Sequence, residues 1–155
     1  MEGAAGPMGP QGPPGISGAT STLATTTVLG PGVPDYDDEY YGDNYNPTYY
    51  YSIYGGDRSD NHAEVAELLG SSSAVITRFA VGINSRPTPG SWTFSLMRDN
   101  TALFTCTIAE NQRRCESTGY VTLSPIDRLS IRCSEAGSPY QGFSAAAFQI
   151  TYMTQ

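Results

Sequence analysis

The sequence contains no lysine and only one histidine, and charged residues make up 15% of it, against about 25% in typical soluble domains. Its eight arginines are outnumbered by 15 acidic residues, which gives a formal net charge of −7. Such a chain lacks the cationic surface that a sequence-independent nucleic-acid binder needs, so we expect no nucleic-acid partner. No apolar run approaches the roughly 18 residues of a membrane span, so we expect a soluble chain.

Motifs for catalysis and for cofactor binding are also missing. His62 is accompanied by no G-x-S-x-G, no glycine-rich phosphate loop and no H-E-x-x-H, so the sequence offers no recognisable nucleophile–base pair. One histidine and three cysteines at these spacings do not supply the ligands of a zinc site. A paired-carboxylate hydrolase is the enzyme class left open by the many acids. We expect no catalytic residues and no cofactor.

Charge is distributed unevenly along the chain. Residues 1–34 contain one acid, residues 35–70 contain nine acids and one arginine, and residues 71–155 contain five acids and seven arginines. The opposite signs of the middle and C-terminal regions favour head-to-tail self-association. Glycine, proline, serine, threonine and tyrosine are abundant, which is typical of an extracellular or surface structural protein rather than of a cytosolic enzyme.

The N-terminal segment, residues 1–20, carries the most regular pattern in the chain. Only glycine fits the crowded axis of three wound polyproline-II chains, so a strict Gly-X-Y period predicts a collagen-like segment. A disordered Pro/Gly linker is the alternative. Six triplets are too short to hold three chains together, so we expect them to act in assembly with another element. The glycines that keep the period are Gly3, Gly6, Gly9, Gly12, Gly15 and Gly18.

Residues 21–34 form a Ser/Thr-rich arm. Its Thr, Val and Leu content favours an extended strand, which should end at the breaker Gly30–Pro34. A strand outside the main domain can complete a sheet in a neighbouring subunit, so this arm is a candidate exchanged strand. A Ser/Thr linker is the alternative.

The acidic segment, residues 35–61, contains eight of the eleven tyrosines. Tyrosine offers a large contact area at low entropic cost, so we expect these side chains to line contacts between subunits. Clustered carboxylates raise the question of a calcium site, but EF-hand spacing fails, so we favour a solvated or interface-lining loop. The calcium candidates are Asp35, Asp37, Asp38 and Glu39, and the assembly candidates are Tyr40, Tyr41, Tyr49, Tyr50 and Tyr51.

Residues 62–155 have the pattern of a β-sandwich domain. Residues 62–70 are compatible with a helical turn or with a short strand. Beyond them, apolar side chains alternate with polar ones in runs that turn signals separate. The whole pattern predicts an all-β fold: an antiparallel jelly-roll-type β-sandwich preceded by an extended collagen-like arm. The runs that define inward faces include Val75-Thr77-Phe79-Val81-Ile83, Trp92-Phe94-Leu96, Ala102-Phe104-Cys106-Ile108 and Leu129-Ile131-Cys133.

The chain combines a Gly-X-Y stretch with a compact β domain that contains the run SWTFSLMRDNTALFTCTIAENQRRCESTGYVTLSPIDRLSIRCSEAGSP. In this it resembles the collagen-like surface proteins of bacteria, including the exosporium-type collagen-like glycoproteins of spores. The resemblance covers roughly residues 74–154 and 3–20. It implies a C-terminal domain of the C1q and tumour-necrosis-factor type, trimeric assembly, and a location at the cell or spore surface. The short Gly-X-Y run and the acidic insert depart from that pattern.

The cysteines fit an exported protein. Cys106 and Cys115 flank a span that a hairpin between consecutive strands could bring to bridging distance, and the resemblance supports the same pair. A disulfide there would stabilise the fold by roughly 2–3 kcal/mol. Cys133 is then left over, either as a small core residue or as a link between subunits.

Two functions follow from these features. The first is a structural subunit of an extracellular fibre, filament or surface layer, which assembles with copies of itself, as a trimer or a helical filament, through its N-terminal arm and its β-sandwich head. The alternative is a trimeric adhesin or a viral or phage fibre tip that recognises a surface glycan through the arginines of the head. Neither function is enzymatic.

Overall fold

In the computed structural model of the protein, most of the described residues belong to β-strands. It describes residues 19–27, 48–55, 58–59, 61–87, 90–137 and 145–154. In chain order the elements are β1 (Thr20–Thr27), β2 (Thr48–Ser52), β3 (Arg58–Ser59), α1 (His62–Val65), β4 (Glu67–Leu68), β5 (Ala74–Ile83), β6 (Gly90–Arg98), β7 (Thr101–Ile108), β8 (Arg114–Leu123), β9 (Arg128–Gly137) and β10 (Ala146–Thr154).

The strands form two antiparallel sheets. Sheet A has the order β1-β10-β5-β8, and sheet B has the order β3-β2-β9-β6-β7, with β4 also paired to β9. Consecutive long strands such as β5 and β6, or β7 and β8, lie in opposite sheets. The fold is therefore a β-sandwich, which confirms the all-β prediction and the two antiparallel sheets.

The core lies between the sheets and is filled by aromatic and branched side chains. Phe148 of sheet A packs edge-on against Phe94 of sheet B, with ring centroids 6.0 Å apart, and both rings are fully buried. Trp92, Leu96 and Ile131 are also buried in the same cluster, on the inward faces that their alternation predicts. Fully burying side chains of this size stabilises the fold by about 1.5–3 kcal/mol each.

Two predicted inward faces are wrong at their beginnings: that of β7, where Ala102 is exposed, and that of β5. The alternation places Val75 and Thr77 beside Phe79, but the core cluster contains Ile76 together with Phe79. The register between β5 and β10 shifts between Ile76 and Arg78, which leaves Thr77 as an extra residue. A β-bulge of this kind reverses the side-chain alternation, and the sequence pattern alone does not reveal it.

Residues 62–70 contain both of the elements that the sequence left open. Asn61 caps the short helix α1, since its side chain accepts a hydrogen bond from the backbone N–H of Ala63. The chain then becomes extended, and Glu67 of β4 pairs with Leu129 of β9. The helix ends where the chain joins sheet B.

Parts of the two N-terminal segments also belong to the sandwich. Strand β1 of sheet A, Thr20–Thr27, comes from the predicted arm apart from Thr20, which ends the predicted collagen-like segment. Strand β2 of sheet B, Thr48–Ser52, comes from the predicted acidic segment. Thr20 lies opposite Met153, so β1 begins at the end of the sandwich where β10 finishes. We call this the arm end, because the Gly-X-Y segment precedes β1 in the sequence.

Candidate functional site

Strand β1 forms one edge of sheet A and pairs with β10 along its whole length. The register runs from Thr20 opposite Met153 to Thr27 opposite Ala146 without a shift. Threonine-rich sequence favours this extended state, and the strand, TSTLATTT, contains neither a charge nor a proline. Among the described residues β1 has a partner strand on one side only, so its other side is an open hydrogen-bonding edge.

The side chains of β1 make a thin attachment to the rest of the sandwich. Leu23 is the residue of this strand that packs against the core, and it is only partly buried. The hydroxyl Oγ1 of Thr25 is buried and has no hydrogen-bond partner within the described ranges. Thr22 and Ala24, on the outward face, are exposed. Backbone pairing with β10 therefore supplies most of what holds β1.

Strand β8, at the other edge of sheet A, is held covalently. Cys115 on β8 forms a disulfide with Cys106 on β7, with the two Cα atoms 5.6 Å apart, so the predicted bridge is present. The hairpin expected between them is wrong, because β7 belongs to sheet B and the bridge joins the two sheets. A Cβ atom on Gly119 would lie 3.2 Å from the Phe104 ring, so the strands approach closely there.

The outward face of sheet A contains a groove of about 440 Å³ across β10, β5 and β8. Ala80 and Gly82 form part of its lining and present little side chain. Arg78 donates through Nε and Nη2 to Oε2 of Glu116, at 3.0 and 2.6 Å, on a half-exposed surface. Arg114 also lines the groove, and no ion-pair partner for it occurs among the residues described. The groove therefore offers one arginine to an anionic group.

The outward face of sheet B is covered in part by helix α1. The His62 Nδ1 and Ser130 Oγ atoms are hydrogen-bonded at 2.5 Å, and the Tyr50 ring meets the His62 ring edge-on at 5.8 Å. Burial lowers the pKa of His62, against the opposing effect of the Asp99 carboxylate. Ser130 is completely buried, so its hydroxyl is not accessible to a substrate. This pair fastens α1 to the sheet.

No sequence pattern indicates the contact between His62 and Ser130. The two residues are 68 positions apart and belong to no shared motif. The sequence around His62 predicts only a helical turn or a short strand, and the sequence around Ser130 predicts only a strand. Only the fold brings β9 beneath α1, so local patterns could not have identified the pair.

The tyrosines predicted for assembly have different positions on β2. Tyr51 is fully buried, with its ring 5.9 Å from the Phe148 ring, so it fills the core of its own chain rather than an exposed surface. Tyr49 is partly buried against the same core, and Tyr50 lies on the opposite face beside His62. The structure therefore brings these three together on one strand without grouping them on one surface.

The other predicted positions lie outside the described residues. They are the arm glycines Gly3, Gly6, Gly9, Gly12, Gly15 and Gly18, the tyrosines Tyr40 and Tyr41, and the calcium candidates Asp35, Asp37, Asp38 and Glu39.

Cys133 is described, and it is a fully buried free thiol in the core cluster. Burial raises the pKa of this thiol well above its usual range. Its side chain packs as a small apolar residue, which is one of the two roles that the sequence leaves open for it.

Within the described ranges, no group of three or more His, Cys, Asp or Glu side chains is placed to hold a metal ion. The same part of the chain contains no helix with the length and hydrophobicity to cross a membrane. No protein-family model matches the chain, and no curated protein is significantly similar to it. Function must therefore be inferred from the sandwich itself, and above all from the two edges of sheet A.

Proposed function

We propose that the chain is a structural subunit of an extracellular fibre or surface layer, and that β1 is the element that joins one copy to the next. The observation that carries this proposal is the position of β1, which binds the sandwich through β10 alone among the described strands. A strand at a sheet edge, paired by its backbone and contributing little to the core, is the kind of element that proteins exchange between copies.

Exchange would preserve the contacts that β1 makes. A neighbouring copy's β1 can lie opposite β10 in the same register, with Leu23 opposite Ile150, because the surroundings offered by each copy are identical. The free-energy change is then small, since every pair lost within one chain is regained between chains. Residues 28–47 connect β1 to β2 in the sequence and give it the chain length that exchange requires.

The proposed head is a jelly roll. Its strand order supports this, since β1-β10-β5-β8 faces β2-β9-β6-β7. Successive long strands alternate between the sheets except at β6 and β7, which pair with each other in sheet B. The sequence places the Gly-X-Y segment directly before β1, at the arm end. A collagen-like arm leaving one end of a β-sandwich is the arrangement that the resemblance to bacterial surface proteins implies, and it gives each subunit a direction.

The test is negative-stain electron microscopy of three forms of the protein: the full chain, a chain that begins at Ala19, and a chain that begins at Asp35. The first two retain β1 and the third lacks it. We expect fibres from the full chain, fibres also from the Ala19 form because β1 carries the joint, and none from the Asp35 form.

Fibres of the same width from the Asp35 form would overturn the proposal. The disulfide and a native circular dichroism spectrum should be checked in each sample, so that a failure to fold is not mistaken for a failure to assemble.

The second candidate is a trimeric adhesin or fibre tip that binds a surface glycan. The groove on sheet A favours it, because Arg114 is unpaired among the described residues and lies near Gln149, which can hydrogen-bond a sugar hydroxyl. Discrete trimers in all three microscopy samples, without fibres, would favour this candidate over the structural role.

A further inference from the structure

We propose that the open edge of β1 pairs with the β1 edge of a second copy, so that two copies of sheet A join into one continuous antiparallel sheet. The inference deepens the proposed structural role and rests on it for its biological use. It does not require strand exchange, because the free edge of β1 is the same whether the strand occupies its own sheet or a neighbour's.

The four edges of the sandwich are protected to different degrees. At one edge of sheet B, β3 is only two residues long, and at the other β7 has a register shift and carries Cys106 of the disulfide. At the far edge of sheet A, β8 carries Arg114 and Glu116 and the second half of the disulfide. Short strands, bulges and charges are the features by which proteins prevent edge-to-edge pairing.

Strand β1 has none of these features. It is eight residues long, uncharged and free of proline, and its pairing with β10 contains no bulge. An edge that is long, regular and uncharged exposes a row of N–H and C=O groups that another strand can pair with. Among the described edge strands, β1 is the one with the fewest features that would hinder pairing with a second copy.

The partner that fits this edge is a second β1. A two-fold axis beside the strand would bring the same segment of each copy together in antiparallel orientation. Any register that keeps Leu23 facing the sandwich interior places outward residues such as Thr22 and Ala24 opposite outward residues of the partner, because side chains alternate along a strand. Threonine and alanine pairs fit closely there, and no charge opposes them.

This contact has a different symmetry from strand exchange. A two-fold contact closes at two copies, whereas exchange from each copy to the next continues along a fibre. Edge pairing would therefore join two copies side by side, and exchange would extend the assembly lengthwise.

The test is a lysine placed on each edge of sheet A. Ala24→Lys puts a charge on the exposed face of β1, and the matched control Thr118→Lys puts the same charge on the exposed face of β8. Sedimentation velocity over a range of concentrations measures the self-association of the wild type and both variants. We expect Ala24→Lys to weaken pairing on the order of tenfold, since the two copies then bring two lysines onto the same face of adjoining strands, and Thr118→Lys to leave it unchanged.

The outcomes separate this inference from the proposed fibre role. Association of Ala24→Lys at the wild-type level, an equal loss in Thr118→Lys, or a wild type that stays monomeric at every concentration would overturn edge pairing. Fibres from Ala24→Lys with unchanged width would do the same while leaving exchange intact. If the wild type and Thr118→Lys form dimers, Ala24→Lys does not, and no sample forms fibres, edge pairing is supported and the fibre role is contradicted. Ala24→Ser, which keeps the strand uncharged, should associate like the wild type.

Discussion

The two edges of sheet A differ in almost every respect. Strand β8 is tied to sheet B by the Cys106–Cys115 disulfide, carries charged residues, and contributes Leu123 to the core. Strand β1 carries no charge, has no disulfide, and among its described side chains packs one apolar residue, the partly buried Leu23, against the core. One edge is permanently fastened, and the other is attached mainly by backbone pairing.

This difference indicates which part of the molecule can change partners. Releasing β8 would require breaking the disulfide and exposing the core. Releasing β1 exposes Leu23, at a cost below the roughly 1.5–3 kcal/mol of a fully buried apolar side chain, and its backbone bonds are restored when an identical copy supplies the strand. In the proposed exchange, the disulfide at β8 keeps the head intact while β1 changes partners.

The largest expected effect on stability comes from removing the disulfide that fastens β8, so that this edge, like β1, has no covalent cross-link. We expect the double variant Cys106→Ser/Cys115→Ser to lower the free energy of unfolding by about 2–3 kcal/mol, because the unfolded chain gains freedom when the cross-link is lost. Urea denaturation of the variant and of the wild type measures the difference. Hydrogen exchange at β8 should rise, while exchange at β1 should change less.

The control is the wild type treated with a reductant, which should reproduce the loss while Cys133 stays a thiol in every sample. An unchanged midpoint and slope would show that packing of β8, such as the approach of Gly119 to Phe104, fastens this edge without the disulfide.

Acid should lower the stability of the protein by a smaller amount, and it should act at His62 on sheet B rather than at either edge of sheet A. Burial lowers the pKa of His62 in the folded protein, below the value of about 6.5 for an unfolded chain. The unfolded chain therefore binds the proton more tightly, so the stability that neutral His62 confers is complete above about pH 6.5 and is lost as the pH falls through the lowered folded value.

Denaturation of the wild type and of His62→Gln between pH 5 and 8 tests this dependence. His62 is the chain's one histidine, so the variant should lose this part of the slope and keep the slope that the carboxylates cause at lower pH. If the free energy of unfolding depends on pH in the same way in the wild type and in the variant, the claim that neutral His62 stabilises the contact between α1 and sheet B is contradicted.

Most strands of the head could be predicted because apolar and polar side chains alternate along them. Phe94 and Leu96, or Leu129 and Ile131, need only the period of two and the turns that bound them. The disulfide pair was also predictable, since two cysteines nine residues apart flank a chain reversal. Each of these features depends on residues that are close together in the sequence, so a local pattern can predict it.

The remaining features depend on contacts between distant segments. The bulge at Thr77 arises from pairing with β10, and Ala102 is exposed because the register of β7 against β6 shifts between Leu96 and Met97. Tyr51 could not be told from its neighbours on the basis of composition, yet sheet B places it in the core beside Phe148. The edges of the sandwich likewise follow from the strand order, which no local pattern specifies.

The measurement that tests the central claim most directly is a disulfide placed between β1 and β10. Thr22 and Thr151 lie opposite each other in that pairing, so Thr22→Cys/Thr151→Cys should cross-link whichever copies of the two strands are paired. The matched control is Ala80→Cys/Gln149→Cys, which joins β5 to β10 within one sheet. Both variants are oxidised after assembly and examined by gel electrophoresis without reductant.

If β1 is exchanged, the first variant gives a ladder of covalent multimers and the control gives monomers. If both variants give only monomers from an assembled sample, each β1 remains in its own chain and the account of β1 as the joint between subunits is contradicted.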